Sequence, residues 1–321
     1  MKTRTFLRTL LMAAISLSCA ITANADTWPS RPVRLIVPYP AGGPVDNIVR
    51  LMVPALGKEL GQPIVVDNKA GAAGLLGIQQ TVQGEPDGYT FGIGVLGIFA
   101  VLPSVGKLPF KLEDVNYVTL LTQSPHVLVT SATSEFKDLK SFVEAARKAP
   151  GKYFFGSPGT ASSTHLDGEL LADEAKISIT HVPYKGGSQA ISALLGAEVQ
   201  LLSAEISAVQ SLASKLKVLA VMGKTRAPTL PDVPSTTELG YPEVVASSVY
   251  GVIAPTKTPV AVTDRFRQAL GKVLNDTDIK SKLAAAGQSV TPSSAAEYRK
   301  LMEAQAIKWS TLIKHKNIKL D

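Results

Sequence analysis

Residues 31–50 read RPVRLIVPYPAGGPVDNIVR. Val33, Leu35 and Val37 alternate around Arg34 and Ile36, the pattern of a largely buried β-strand. Pro38 to Gly43 then stops it: two prolines remove ladder donors, and two glycines free the backbone to turn or to approach a ligand. Pro44 suits a first helical turn. Ile48, Val49, Met52, Val53 and Leu56 follow at helical spacing. A nearly side-chain-free loop containing Tyr39, Ala41, Gly42 and Gly43 is thus expected between the carboxyl end of a strand and the amino end of a helix. Open α/β sheets bind ligands there, and free N–H groups with the positive end of the helix dipole favour an anion such as a carboxylate. The plainer alternative is a tight βα turn that binds nothing.

The chain has 321 residues, enough for two modest domains. Its start carries Lys2, Arg4 and Arg8, an apolar run from Leu10 to Ala20, and Ala23-Asn24-Ala25 as an A-x-A site. This pattern predicts a signal peptide over 1–25, cleaved before Asp26, and hence a periplasmic protein. The apolar run is short for a membrane anchor. Lipidation at Cys19 is a weaker reading, because Ser16 stands where a lipobox needs an aliphatic residue. Cys19 is the sole cysteine, so the mature chain can form no disulfide and offers no thiolate nucleophile or Cys–metal site. The formal charge of +7 falls to +4 once the three leader positives are removed. Its Lys and Arg are scattered, which argues against a nucleic-acid partner and is compatible with attraction of small anions.

Downstream, strands are expected at Pro63–Val66 and Tyr89–Ile93, with a helix at Ala73–Val82 between them after a turn over Asp67–Gly71. Gly71, Gly74 and Gly77 point to close helix–sheet packing or to a second set of N–H donors. Gly92-Ile93-Gly94-Val95-Leu96-Gly97 has the form G-x-G-x-x-G, but it follows the third strand rather than the first, so a dinucleotide site is set aside. It reads instead as a second glycine-rich loop, with Gly94 and Leu96 facing the same cleft. Val115–Thr122 and His126–Thr130 read as two short strands broken by Gln123-Ser124-Pro125, a crossing between domains. Gly156 to His165 repeats the opening design with hydroxyls added: Ser157, Thr160, Ser162, Ser163 and Thr164 are more than one N-cap requires. A strand over Ile179–Val182 ends in Pro183-Tyr184-Lys185-Gly186-Gly187, with a helix from Ser188 to Leu195. Further strands are expected at Val199–Leu202, Val218–Met222 and Tyr250–Ala254, with Ser203-Ala204-Glu205 a polar break. Helices near Val260–Leu274, Asp278–Ala286 and Ala295–His315 close the chain.

No catalytic, metal or cofactor set is expected. The segment Gly159–Ser163 lacks the closing glycine of a nucleophile elbow, and His165 and His181 lack carboxylate company for zinc. His165 reads as packing against its own loop, and His126 as a surface or hinge residue. The rival class is a hydrolase-like enzyme on the same fold, which turnover dependent on a residue such as His165 would reveal.

Besides the opening stretch, VVDNKAGAAGLLG (65–77), PDGYTFGIG (86–94), FGSPGTASSTH (155–165), HVPYKGGSQA (181–190), LKVLAVMGKTRAPTLPDVPSTTELGYP (216–242) and GVIAPTKTPVAV (251–262) resemble the substrate-binding receptors of tripartite tricarboxylate transporters, the Bug-type family. The matches keep one order and cover nearly the whole mature chain. The resemblance implies an α/β, two-lobed, type II Venus-flytrap fold with a hinge: a discontinuous first domain over 26–124 and 248–321, and an inserted second over 125–247. It implies a monomeric periplasmic receptor that holds a small organic acid between its lobes and hands it to membrane permease subunits. A ligand sensor for a signalling partner is an alternative. Carried over from the family, carboxylate contacts fall on Tyr39, Ala41, Gly42 and Gly43 and on Ser157, Thr160, Ser162 and Thr164 of the facing lobe. Gly94, Leu96, Tyr184 and Glu205 are further ligand-binding candidates read from this sequence itself. Asp46 matches the acid that follows P-A-G-G and reads as ordering the loop.

The sequence departs from the family pattern after Gly97, where Val101, Leu102 and Pro103 replace an Asn-Pro pair. With Val95, Leu96, Ile98 and Phe99 this predicts an apolar wall and a ligand with a hydrophobic body, such as an aromatic carboxylate. Glu205 is read two ways: as a solvated acid at a helix start, or as a cleft residue that repels a tricarboxylate and welcomes an amine, hydroxyl or ring N–H.

Overall fold

The computed structural model describes residues 28–319; the leader reading and Cys19 lie outside them. The opening unit folds as read. Strand β1 is Val33–Val37 and helix α1 is Pro44–Leu60, with Pro44 in its first turn and Gly61 in the left-handed conformation as its cap. One face of α1 buries Ile48, Val49, Met52, Leu56 and Leu60. Strand β2 (Ile64–Asn68), a 3₁₀ turn at Ala72–Gly74, helix α2 (Leu75–Val82) and strand β3 (Thr90–Val95) follow. β1 pairs in parallel with both β2 and β3, so the crossovers place helices on the faces of the sheet and the binding loops at its carboxyl end.

After a π-helical turn over Gly97–Val101 and a short helix at Leu102–Val105 comes strand β4, Val115–Ser131. The rest of the chain runs α3 (Leu139–Lys148), β5 (Phe154–Ser157), α4 (Ser163–Ala175), β6 (Thr180–Pro183), α5 (Gly187–Leu195), β7 (Leu201–Glu205), α6 (Ile206–Gln210), β8 (Leu216–Val221), β9 (Ser247–Pro255), α7 (Val260–Asn275), α8 (Thr277–Ala285), β10 (Ser289–Val290) and α9 (Ala295–His315). The strand order β2-β1-β3-β9-β4-β7-β5-β6 shows two units sharing one strand. The first part of β4 runs antiparallel to β9, from Val115 opposite Pro255 to Pro125 opposite Ser247. From His126 onward β4 pairs with β7 and β8 instead.

The expected break at Gln123–Pro125 is therefore absent: one 17-residue strand passes through it. Pro125 lacks an N–H, but it lies where β9 ends as a partner, and the next N–H, of His126, reaches the Ala246 carbonyl at 3.0 Å. The expected turn at Asp67–Gly71 begins later, since β2 runs to Asn68. The polar break at Ser203–Glu205 is the end of β7.

The glycine-rich loop expected after the third strand starts later, at Leu96. β3 continues to Val95, and Gly94 lies inside it, paired with Gly251 of β9. A Cβ on Gly94 would stand 2.6 Å from the Tyr298 hydroxyl, and one on Gly251 2.5 Å from the Tyr298 ring. These glycines form a slot for a fully buried tyrosine on α9, not a ligand loop.

The larger core runs beneath the first sheet (Phe91, Ile93, Phe266), along α9 (Tyr298, Met302, Trp309) and onto one face of the second sheet (Phe142, Phe155, Leu166). A smaller core of Val127, Val129, Leu194, Leu202 and Val209 covers the other face. Beyond the end of α9, Lys316 Nζ lies 3.8 Å from Glu169 and 3.6 Å from Asp173, and His315 at the end of the helix lies 3.5 Å from Asp173. The terminal segment thus touches both units.

Gly251→Ala should destabilise the fold by about 1–3 kcal/mol through overpacking against Tyr298. Urea unfolding checks it, and a midpoint equal to that of the parent would remove the steric role assigned to the slot.

Candidate ligand-binding site

A cavity of about 360 Å³ opens at the carboxyl ends of the strands, within the range of small-molecule sites. One side carries Tyr39 and the Ala72–Ala73 turn; a second is the apolar stretch Val95, Leu96, Ile98, Val101, Leu102 and Val105. The facing loop, Pro158–Ser163, closes it from the other unit, and Glu205, Ser247, Ser248, Val249 and Tyr250 form its floor. The expected apolar wall is present, except that Phe99 turns into the core against Tyr117, with ring centroids 5.5 Å apart.

The first loop is built differently from the expectation. Its Gly42 N–H donates to Asp46 Oδ2 at 2.8 Å, and its Gly43 N–H reaches the Pro40 carbonyl at 3.3 Å. Asp46 also accepts from Arg50 Nε at 2.8 Å and from Asn68 Nδ2 at 2.9 Å, while that amide holds the Tyr39 carbonyl at 3.0 Å. The anion that the loop and helix dipole favour is thus supplied by the chain itself. Ala41, Gly42 and Gly43 do not line the cavity. The Arg50 hydrogen bond outweighs burial and, with the Gly42 and Asn68 donors, holds the Asp46 carboxyl down at about 2.

The facing loop is fastened from behind. Ser162 caps α4 by accepting the His165 N–H at 3.2 Å, and Ala161, at φ 60°, donates its N–H to His165 Nδ1 at 2.9 Å. The His165 ring stacks on His181 at 3.7 Å. The Ser157 hydroxyl donates to the Gly159 carbonyl at 2.9 Å, so it accepts from His181 Nε2 at 2.7 Å. Ser157 is a buried fastener rather than a lining residue. The Thr164 hydroxyl is buried away from the cavity, and Tyr184 packs beside Gly156 with its hydroxyl 3.5 Å from Glu198. Thr160, Ser162 and Ser163 line the cavity where the α4 N-terminus points, a place suited to an anion.

The floor is a hydrogen-bonded chain. Glu205 Oε1 accepts from Ser248 Oγ at 2.6 Å and from Tyr250 Oη at 2.8 Å. His126 Nε2 lies 3.0 Å from Ser248 Oγ, and His126 Nδ1 lies 2.6 Å from Asp167 Oδ2. His126 is therefore neither exposed nor idle: it is buried in the strand both units share. Burial lowers its affinity for a proton, but the charge and hydrogen bond of Asp167, with Glu205 beyond, outweigh this and raise its pKa. Burial first, and then the charge of Glu205, push the Tyr39 phenol up to about 12, so that phenol is a neutral donor at ordinary pH.

Of the residues singled out in the sequence, the cavity brings together Tyr39, Leu96, Thr160, Ser162 and Glu205. It adds Ala72, Ala73, Ser248 and Tyr250. Ala72 and Ala73 sit at φ 46° and 53°, a left-handed pair without a glycine or asparagine to announce it.

Residues 48–318 match the family model described as the tripartite tricarboxylate transporter family receptor. The chain belongs to this family. It is 31% identical to Protein BugT of Bordetella pertussis over 94% of each chain. Among solved structures, Rpa4515 of R. palustris with adipate superposes with a TM-score of 0.81 at 28% identity, covering 91% of this chain and all of that one. MatC from Rhodopseudomonas palustris with bound malate gives 0.76 at 28% identity, covering 89% of this chain and all of that one. The Bug-type receptor is accordingly a two-lobed periplasmic binding protein in fold, with β4 passing between its lobes.

Asp46 makes a further outcome measurable. Its folded pKa, about 2, lies below the unfolded value of about 3.9, so its contribution is fully present above pH ~4 and fades as pH falls toward 2. Asp46→Asn should lower stability by about 1–2 kcal/mol at pH 6, a modest figure because Arg50 is half exposed. Urea unfolding at pH 6 and pH 3 should show the gap between parent and variant narrowing in acid; an unchanged gap would disconnect Asp46 from the loop's electrostatics.

Proposed function

We propose that this receptor captures a small carboxylate with an apolar body and delivers it to the permease subunits of a tripartite transporter. The observation that carries the reading is the pairing inside one cavity of a hydroxyl-bearing helix N-terminus, Thr160–Ser163, with the apolar wall Val95–Val105. The first suits a carboxylate; the second suits a hydrocarbon or aromatic ring better than the three charged arms of citrate. Adipate and malate in two structural relatives support the carboxylate class. The leader over 1–25, the periplasmic location it gives and a monomeric state belong to the same reading, as do lobe limits at 26–124 with 248–321 and at 125–247.

The roles in this reading follow from placement. Thr160 and Ser162–Ser163 take the carboxylate, Leu96 and its neighbours take the body, and Tyr39 offers a neutral hydroxyl. Gly42, Gly43 and Ser157 hold loops in shape. Binding relies on neutral donors and on closure of the lobes, so the cargo can be released when they part.

A thermal-shift series on the chain from Asp26 onward tests this. Aromatic and longer aliphatic carboxylates should raise the melting temperature; at 100 times the dissociation constant the stabilisation is about 2.7 kcal/mol. Citrate should act weakly. Tight citrate binding without any response to hydrophobic acids would overturn the apolar-body assignment, and silence across all carboxylates would overturn the receptor's ligand class.

A further inference from the structure

The floor of the cavity holds a charge that the carboxylate reading does not use. Glu205 ends β7, in the cavity lining, opposite His126 of β4 where that strand crosses between the sheets. Its Oε1 takes the protons of Ser248 and Tyr250, while its Oε2 is buried and, among the described residues, has no hydrogen-bond partner. A buried carboxylate oxygen left unpaired is costly, so a site that keeps one is built to receive a donor.

With Glu205 accepting, the donors along the rest of the chain follow. Ser248 has one hydroxyl proton and gives it to Glu205, so at its contact with His126 it must accept, and His126 Nε2 carries a proton. On the other side of the ring, Nδ1 and Asp167 Oδ2 stand 2.6 Å apart, which requires a proton between them. Ser203 donates to the same Asp167 oxygen at 2.5 Å. The His126–Asp167 pair is then neutral overall, wherever that shared proton rests. The Tyr39 and Tyr250 phenols beside Glu205 are held neutral, and the Lys308 ammonium, which feels Asp167, Glu243 and Glu174, donates to the Val245 carbonyl rather than to Glu205. Among the described residues Glu205 is the one acid in the cavity lining, and its Oε2 is left without a donor.

We infer that Glu205 Oε2 is the specificity contact for a hydrogen-bond-donating group on the ligand, so that the site takes an amino or hydroxy acid with an apolar body rather than the plain acid of the same skeleton. This rests on the carboxylate reading and refines it. The ligand's carboxylate lies at Thr160–Ser163, and its ammonium or hydroxyl lies at Glu205. A second carboxylate directed at the floor is repelled, which gives discrimination by a clash of charge as well as by a new bond.

Calorimetric titration of matched acids tests the inference on the unmodified mature chain. One series is 3-phenylpropanoate, 3-phenyllactate and phenylalanine; the other is succinate, malate and aspartate. Within at least one skeleton the hydroxyl or ammonium member should bind tenfold or more tighter than the plain acid, and comparison of the two members identifies the donor. Glu205→Gln keeps an acceptor for Ser248 and Tyr250 but removes the charge. It should cut the affinity of the ammonium member at least tenfold and leave the plain acid unchanged or improved, which also reports that the variant is folded. Plain acids binding as tightly as their substituted partners, in an order unaltered by Glu205→Gln, would overturn the inference and leave the carboxylate reading standing. Failure of every acid in both series would overturn both.

Discussion

Everything in this receptor depends on one strand serving two sheets. β4 supplies its first half to β9 and its second half to β7 and β8. The two lobes are therefore hydrogen-bonded to the same backbone, and one set of partners gives way to the other over a short span. Pro125 sits at that span without an N–H to donate, and Ser247 and Ser248 face it across the return strand. Glu205 is held by Ser248 and Tyr250, and His126 bridges Asp167 to Ser248. The floor of the cavity and the connection between the lobes are thus made from the same residues, which links what occupies the cavity to how the lobes stand.

Much of this was legible in the sequence, because the signals were local. The alternation in Val33–Val37, the proline and glycine punctuation after it and the helical spacing from Ile48 fix the opening unit, and the same logic locates α7, α8 and α9 nearly to their ends. What was misread depends on distant partners. Pro125 looks like a strand breaker until β9 and Ala246 are seen beside it. Gly94 reads as a loop residue facing the cleft until Tyr298, some two hundred residues later, is found to need the space. The hydroxyls near Gly159 look equivalent in sequence, yet Ser157 is spent on His181 and the Gly159 carbonyl, Ser162 caps a helix, and Thr160 reaches the cavity.

The first loop shows how an expected site can be filled from within. Its glycines and helix dipole do favour an anion, as sequence reasoning holds, but Asp46 is that anion and is tied to Arg50 and Asn68 besides. On the proposed reading a ligand's carboxylate is taken by the second lobe, where Thr160, Ser162 and Ser163 line the cavity. Among the described residues Glu205 is the one acid in the cavity lining, and it lies at the floor, so hydroxyls stand at one pole, an acid at the other and hydrocarbon between them.

The glycine slot in the first sheet is filled by Tyr298, near the start of the last helix, and that helix goes on to tie down Glu169 and Asp173 of the other lobe through His315 and Lys316. The order of assembly follows. The inserted lobe is one unbroken length of chain and can close on itself early, whereas the first sheet waits for β9 and then for Tyr298 before its centre is plugged. A ribosome producing this chain from its amino terminus makes the opening strands first and their keystone last, so the first sheet stays unplugged until synthesis is nearly done.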